Sequence, residues 1–164
     1  MPTYIAYNGA MPTTAELQPV TTGTSIKTML QVATPSTRGL RVIEWGISFD
    51  GSAAATPVRC ELIATDVAAT VTAHVTAGVQ PYSDVNATAS LMTLGTSATG
   101  YTASAEGTIT ATRSGDTQQI SPTTSYVKQW PLGREWAVGP SKFVRIRVKA
   151  SAAVGAICYV VWEE

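Results

Sequence analysis

Alternation of hydrophobic and polar positions is the strongest pattern in this chain. In residues 143–149, aliphatic residues alternate with basic ones, a period of two that is typical of a strand with one solvated face. The same alternation predicts strands at residues 25–33, 41–49, 58–64, 106–112, 143–149 and 156–162. Shorter signals at residues 4–7 and 126–130 add further strands, and no segment predicts a long helix. The pattern therefore predicts an all-β fold, an antiparallel, jelly-roll-like β-sandwich of about eight strands.

The loops between these strands predict how the strands pair. A short polar loop over residues 50–57 is expected to join strands 41–49 and 58–64 into an antiparallel pair. Small residues at 150–155 are expected to close the last two strands into a hairpin.

Other connections follow from turn residues. Residues 114–116, Ser-Gly-Asp, predict a turn. Residues 67–75 fit either a helix capped by Asp66 or a strand, and both alternatives stay open. Residues 80–101 predict a long loop over the surface.

The last predicted strand, residues 156–162, has no polar face. Such a strand has to be covered on both sides, by its own core and by a second surface. Residues 4–7 are also apolar at successive positions, so we divide the chain into an N-terminal arm, residues 1–20, and a single β-sandwich domain, residues 21–164. We expect the arm and the last strand to lie in subunit contacts, so that deleting residues 1–10 weakens association without changing the folded domain.

Composition narrows the class of protein. Charged residues make up 13% of the 164 residues, about half the usual fraction in soluble domains. Eleven basic residues balance eleven acidic ones, so no overall field attracts nucleic acid or an anionic membrane. No long apolar run predicts a membrane span, and the first ten residues do not resemble a signal peptide. We therefore expect no nucleic-acid partner, no membrane partner, and synthesis in a cytoplasm.

Positive charge is nevertheless concentrated toward the end of the sequence. Glu135 is the acidic residue that offsets six basic ones, namely Lys128, Arg134, Lys142, Arg145, Arg147 and Lys149. We interpret this cluster as a solvated strand face in preference to a site for an acidic partner.

The cysteines and the histidine, residue types that often act in catalysis or metal binding, have sequence neighbours that do not indicate either role. Cys60 and Cys158 lie in apolar strand patterns and are expected to be buried free thiols. His74 is the only histidine, and its sequence neighbours provide no acid or metal ligand, which favours a packing or surface role.

Paired carboxylates are a second source of catalysis. Glu44, Glu61 and Glu106 are assigned to solvated strand faces in preference to a glycosidase pair. We therefore predict that the protein is not an enzyme, and that it has no metal site, no cofactor and no small-molecule substrate.

The four tryptophans are the remaining signal. Trp45 falls in a predicted core strand, where packing explains it. Trp130, Trp136 and Trp162 fall in predicted loops or at a strand end, where large amphipathic rings favour either a protein interface or a platform for a sugar.

Four segments carry a resemblance to a known class of protein. They are RVIEWGISFDG at residues 41–51, PVRCEL at 57–62, QWPLGR at 129–134 and YVVWEE at 159–164. With these segments the chain resembles small virion proteins of tailed bacteriophages, of the capsid decoration or minor capsid kind. The resemblance implies a β-sandwich that sits on the outside of the virion capsid as a trimer and contacts the major capsid protein.

The expected contact residues combine this resemblance with the apolar pattern. They are Tyr4, Ile5, Tyr7, Trp130, Trp136, Ile157, Tyr159 and Trp162. The alternative function is a carbohydrate- or receptor-binding module of a phage tail or head fibre, with Trp130 and Trp136 as stacking platforms.

Overall fold

Two sheets of antiparallel strands pack face to face in the computed structural model, which describes residues 1–11, 14–51 and 56–164. The strands of these residues are β1 (Thr3–Tyr7), β2 (Val20–Thr21), β3 (Lys27–Ala33), β4 (Leu40–Phe49), β5 (Val58–Thr65), β6 (Thr70–Ala73), β7 (Val79–Pro81), β8 (Gly100–Ala105), β9 (Thr112–Ile120), β10 (Ser125–Gln129), β11 (Trp136–Val138), β12 (Phe143–Lys149) and β13 (Gly155–Glu163). The predicted all-β sandwich is confirmed. The number of strands exceeds the predicted eight because several strands, such as β2, are too short to show alternation.

Helical structure in the described residues is limited to one turn of 3-10 helix at Thr76–Gly78. None of the described helical residues forms a segment long and apolar enough to cross a membrane.

The order of strands in each sheet differs from their order in the chain. The seven-stranded sheet runs β10-β4-β13-β1-β7, with β11 also beside β4 and β2 also beside β13. The six-stranded sheet runs β6-β8-β3-β12-β5-β9. Strands that follow each other in sequence therefore commonly lie in opposite sheets.

The two predicted hairpins are wrong for this reason. β4 belongs to the seven-stranded sheet and β5 to the six-stranded sheet, so they do not pair. β12 and β13 are likewise divided between the sheets. Two consecutive strands can both bury their apolar faces when the loop between them passes from one sheet to the other. Each strand then faces the core from its own sheet. Residues 52–55 of the predicted loop over residues 50–57 lie outside the described residues.

β13 is the central strand of the seven-stranded sheet and lies between β4 and β1. Its inner residues Cys158, Val160 and Trp162 are at most 2% exposed and form part of the core. Ile157, Tyr159 and Val161 point to the outer face of the sheet, where Ile157 and Tyr159 stay half-buried. The prediction of two apolar faces on this strand is therefore confirmed.

The predicted N-terminal arm contains an inner strand of the same sheet. β1 pairs with β13 on one side and with β7 on the other, and Tyr4 is only 1% exposed. Asn8 continues this ladder with its side chain, which donates to Ala156 O at 2.9 Å and accepts from Cys158 N at 2.9 Å. Residues 3–8 thus belong to the sandwich; residues 12 and 13 of the predicted arm lie outside the described residues.

Residues 106–112 do not form the predicted strand. Glu106 turns its carboxylate toward β3, where it accepts from Thr28 N at 2.5 Å and Thr28 Oγ1 at 2.6 Å. Gly107 then adopts a φ of +68°, a left-handed conformation that breaks an extended segment. The strand begins only at Thr112, since hydrogen bonds from side chains replace a ladder in the preceding residues.

The predicted turn at residues 114–116 is instead a bulge inside β9. Leu62 of β5 pairs with Asp116 and Ile63 with Ser114, so Gly115 is the extra residue between them. A Cβ atom on Gly115 would lie 2.7 Å from Cε3 of Trp136, which packs against this glycine. Trp136 itself begins β11, a strand where the sequence predicted a loop.

The basic face of β12 is only partly solvated, which corrects the prediction from its alternation. Arg145 is fully buried, and its NH1 group lies 3.3 Å from the Glu106 carboxylate and donates to Glu106 O at 3.1 Å. Its NH2 group also donates to Val67 O. Burial lowers the pKa of Arg145, and the charge of Glu106 opposes this shift. A charge buried under loops is stable here because it is paired and hydrogen-bonded.

The alternatives left open for residues 67–75 are decided in favour of a strand, β6. Asp66 caps a neighbouring loop and no helix, because its carboxylate accepts from Ala111 N at 3.0 Å and from the Thr110 hydroxyl. The Thr110 hydroxyl and then the Ala111 N–H lower the pKa of Asp66 to about 2. Within the predicted long loop, residues 82–99 contain no strand, whereas β7 and β8 bracket them.

Deletion of residues 1–10 is expected to destabilise the folded domain itself, contrary to the arm interpretation. The deletion removes an inner strand and the Tyr4 ring, whose centroid lies 6.2 Å from that of Trp162. We expect a loss of more than about 3 kcal/mol in the free energy of unfolding, or no folding at all. Thermal unfolding followed by near-ultraviolet circular dichroism measures this. Deleting only Met1 and Pro2, which precede β1, is the matched control; an unchanged transition for the longer deletion contradicts the expectation.

Substitution of Gly115 by alanine tests the bulge. The new Cβ would press against the Trp136 ring, so Gly115→Ala is expected to lower the free energy of unfolding by about 1–3 kcal/mol. Gly139→Ala is the control, because a Cβ there meets no atom within 4 Å. Urea unfolding curves compare the two variants, and equal midpoints would refute the proposed contact.

Candidate interaction surface

The outer face of the seven-stranded sheet carries a group of aromatic and aliphatic side chains that we call the aromatic face. It is formed by residues that point away from the core on β1, β10 and β13 and just after β7, namely Ile5, Tyr7, Tyr82, Val127, Ile157, Tyr159 and Val161. Antiparallel pairing places Ile5 opposite Val161 and Tyr7 opposite Tyr159. Residues on one face of adjacent strands therefore form a continuous surface.

Two tyrosine rings form the centre of the aromatic face. The ring centroids of Tyr7 and Tyr159 lie 5.5 Å apart at an interplanar angle of 41°. Tyr159 lies over β4 at Gly46, where a Cβ would come within 2.6 Å of the ring. The absence of a side chain at Gly46 thus allows the Tyr159 ring to lie flat on the sheet.

Hydrogen bonds fix the orientation of Tyr159. Its hydroxyl donates to Glu44 Oε1 at 2.5 Å, and Gln129 Nε2 donates to Glu44 Oε2 at 3.2 Å. Burial, and then the bond to Glu44, raise the pKa of Tyr159 well above its ordinary value. Burial and the nearby Tyr82 also raise the pKa of Tyr7. Both phenols stay neutral in the physiological range, so the carboxylate of Glu44 supplies the charge among these contacts.

Exposure differs across the aromatic face. Ile5 and Val161 are 9% and 2% exposed and form its floor. Tyr82 and Val127 are 60% and 55% exposed and stand at its two sides. Large apolar side chains left open to solvent around an ordered floor are typical of contact surfaces.

Tyr4 and Trp162 are not part of any surface, which corrects their assignment as contact residues. Both are at most 1% exposed and pack against each other in the core. The Tyr4 hydroxyl donates to Thr88 O at 2.8 Å. Alternation within β1 and β13 turns these two rings inward while Tyr7 and Tyr159 turn outward.

Trp130 and Trp136 lie away from the aromatic face and are half-buried against the core. Trp130 follows β10, and its backbone N–H donates to Ile43 O at 2.9 Å. Lys128 Nζ lies 5.1 Å from the centroid of the Trp130 ring. Trp136 packs on Gly115 of the other sheet. Of the eight predicted contact residues, four therefore lie on the aromatic face, two lie in the core, and Trp130 and Trp136 are half-buried outside the aromatic face.

Sequence reasoning did not identify Tyr82 and Val127 as contact residues, and it placed Glu44 on a solvated strand face without connecting it to them. Tyr82 comes after a strand of only three residues, so alternation could not assign it to a face. Its place follows from the hydrogen bond of its N–H to Thr3 O at 2.8 Å, which extends the pairing of β7 with β1.

Asp116 is a buried polar centre that joins the two sheets. Its Oδ2 accepts from Trp45 Nε1 at 3.1 Å and from the Tyr126 hydroxyl at 2.8 Å. Gln118 Nε2 donates to Oδ1 at 2.9 Å, and Lys128 Nζ lies 3.3 Å from the same oxygen. Burial alone would raise the pKa of Asp116, but these donors and the Lys128 charge outweigh it and lower the pKa. The carboxylate is fully engaged in holding β9 to β4 and β10.

His74 is a packing residue, in agreement with its prediction. It is 4% exposed, and its Nε2 donates to Tyr7 O at 2.8 Å. The ring lies edge-on to Tyr101, with centroids 4.8 Å apart. Burial lowers the pKa of His74, so the neutral form persists in the folded chain.

The remaining candidate chemistry lies inside the sandwich or in ion pairs. Cys60 and Cys158 are free and buried, as predicted, and burial raises the pKa of the Cys60 thiol to about 12. Glu61 lies on the outer face of the six-stranded sheet, as predicted, and pairs there with Arg147. Glu106 lies outside any strand and pairs with the buried Arg145, which corrects its assignment to a solvated strand face. Among the described residues, no group of three histidine, cysteine, aspartate or glutamate side chains could hold a metal ion.

Comparisons of this chain with models of protein families, with curated proteins and with solved structures found no match.

Replacement of Asp116 by asparagine tests the polar centre. Asp116→Asn removes the charge that accepts from Tyr126 and faces Lys128, so we expect a loss of about 1.5–3 kcal/mol in the free energy of unfolding near neutral pH. Because the folded pKa is depressed below the ordinary 3.8, this stabilisation is present above pH 3.8 and disappears as pH falls through the folded pKa.

The wild-type and variant stabilities should therefore converge in acid. Chemical unfolding measured across the acidic pH range checks this, with the exposed Asp84→Asn as the matched control. A gap between wild type and Asp116→Asn that stays constant into strong acid would contradict the assignment.

Proposed function

We propose that this chain is a structural protein of a tailed-bacteriophage virion, a capsid decoration or minor capsid protein that binds the outer capsid shell and stabilises it without catalysis. The observation that carries the proposal is the aromatic face, an ordered apolar surface on the outside of a β-sandwich. The resemblance of residues 41–51, 57–62, 129–134 and 159–164 to such virion proteins supports the same class.

The physical character of the aromatic face suits a permanent contact. Tyr7 and Tyr159 are already ordered by the sheet and by Glu44, so binding costs little side-chain entropy. At about 25 cal/mol per Å², burial of one exposed aromatic ring such as that of Tyr82 contributes on the order of a few kcal/mol. Several such rings, repeated in each copy around a shell, suffice for stable attachment.

The partner in this proposal is the major capsid protein, and the chain acts as a homotrimer at the capsid surface. The low content of charged residues, 13%, suits a protein that is crowded against neighbours in many copies. We further propose that the sandwich is of the jelly-roll kind. The passage of successive strands β3, β4 and β5 from one sheet to the other supports this topology.

The carbohydrate- or receptor-binding alternative is less well supported. Its stacking platforms would be Trp130 and Trp136, but both rings pack against the core. Trp136 also lies against Gly115, and Lys128 stands over Trp130, so neither ring is a free flat surface.

Charge introduced at the exposed sides of the aromatic face tests the proposal. The double variant Tyr82→Asp with Val127→Asp places carboxylates where apolar contact is proposed, while its exposed positions leave the core intact. We expect at least about a tenfold loss of co-sedimentation with capsids assembled without this chain, and loss of their added heat resistance.

Leu132→Asp is the matched control, because Leu132 is 99% exposed and belongs to the loop between β10 and β11 and not to the aromatic face. Binding that is equal in the double variant and the control would overturn the role of the aromatic face. A wild-type chain that fails to associate with capsids but binds a glycan array, with loss of that binding in Trp130→Ala, would support the alternative.

A further inference from the structure

The outer face of the six-stranded sheet ends in a group of three basic residues, Arg59, Arg147 and Lys149, which we call the basic site. Arg59 on β5 lies directly opposite Lys149 on β12, and Arg147 lies opposite Glu61 one step along the same face. On the edge strand β9, Thr117 and Gln119 continue these two rows. Alternation brings all of these side chains to the outer face of the sheet.

The charges of the basic site are incompletely balanced. Glu61 is engaged with Arg147, whose Nε donates to Glu61 Oε1 at 2.7 Å. Among the described residues, no ion pair includes Arg59 or Lys149, although these two cations face each other across adjacent strands. Like charges directly opposite on a sheet destabilise it. The register therefore places two cations at opposite positions without an acidic partner among the described residues.

Arg145 lies on the same strand as Lys149, but its charge is in a different environment. Arg145 is covered by the loops at Val67 and Glu106, and the Glu106 carboxylate offsets its charge. At Lys149 neither loop covers the sheet, and the side chain is exposed. Along β12, the buried and paired Arg145 is therefore followed by the exposed Lys149, whose charge is accessible to an external anion.

The basic site also has a shape. A cavity of about 300 Å³ is lined by the three basic residues and by Glu61, whose carboxylate pairs with Arg147. The other residues that line it are Ile26, Cys60, Thr117 and Val148. Ile26 is 47% exposed and supplies an apolar wall beside the positive charges. The cavity thus provides cations that can bind a carboxylate and, next to them, an apolar contact surface.

We propose that the basic site binds an acidic peptide segment of a partner protein. An aspartate or glutamate carboxylate of this segment lies between Arg59 and Lys149, and a neighbouring apolar side chain rests against Ile26. Binding places a negative charge between two facing cations and so relieves their repulsion. Arg147, which already pairs with Glu61, flanks the incoming carboxylate.

A protein segment fits the basic site better than nucleic acid. Affinity for nucleic acid comes from neutralising many phosphates, whereas this site has three cations and one of them is already paired. The chain as a whole has eleven basic and eleven acidic residues, so no wider field would assist. The residues that line the cavity also include no aromatic ring on which a base could stack.

This inference is independent of the proposed function. The basic site lies on the outside of the six-stranded sheet, and the aromatic face lies on the outside of the seven-stranded sheet. Failure of either proposal leaves the other untouched, because the two surfaces share no residue.

Fluorescence anisotropy tests the basic site with a labelled peptide of alternating glutamate and leucine at low ionic strength. The wild-type chain is expected to bind this probe saturably. Arg59→Gln and Lys149→Gln are each expected to weaken binding by about tenfold, and added salt should weaken the wild-type interaction. Each variant should also melt at a higher temperature than wild type at low salt, since it removes a repulsion.

The controls separate the proposal from its competitors. Arg134→Gln removes an exposed cation elsewhere and should change neither binding nor melting. The proposal is overturned if the variants bind the probe as tightly as wild type, if a glutamine-for-glutamate peptide binds equally well, or if oligothymidylate binds as tightly. Lower melting temperatures in Arg59→Gln and Lys149→Gln would also overturn it, because both charges would then serve the fold.

Discussion

Burial of the inner face of β13 is the constraint on which the rest of the structure depends. Trp162 and Cys158 are inaccessible to solvent, and they can be so only because β4 and β1 flank this strand and the six-stranded sheet closes over it. Hydrophobic burial is the main favourable term in folding, so the strand with the most apolar residues takes the central place. The residues that alternate with the inner ones of this strand, Ile157, Tyr159 and Val161, point outward and form part of the aromatic face. They cannot turn inward, because a one-residue shift of register would expose their buried neighbours.

Carboxylates do the corresponding work for the polar parts of the chain. Glu106 and Asp66 hold loops against the six-stranded sheet by accepting from backbone N–H groups, and Asp116 ties the two sheets together. A buried donor that lacked these acceptors would cost about 1–3 kcal/mol. Few charged residues are present, and many of those described serve the fold. Arg59 and Lys149 differ from these residues, because neither forms an ion pair among the described residues.

The two outer faces of the sandwich consequently offer different chemistry. The aromatic face is apolar, ordered by Tyr7, Tyr159 and Glu44, and suited to a dry and lasting contact. The basic site is small and charged, and suited to a salt-sensitive contact with a carboxylate. A protein attached to a large assembly through one face would keep the other available to a second partner.

Local alternation in the sequence determined the class of fold and the positions of its main strands, because a period of two depends only on neighbouring residues. It placed β12 at the residues where the structure has it, and it recognised both apolar faces of β13. It missed the start of β9 and the bulge at Gly115, because Glu106 and Trp136 act there across long sequence separations. Alternation also cannot say which sheet a strand joins, so β4 with β5 and β12 with β13 were wrongly paired. Tertiary structure alone decided that Tyr4 and Trp162 are core while Tyr7 and Tyr159 are surface, since a residue's inward or outward direction is set only when a second sheet covers one side.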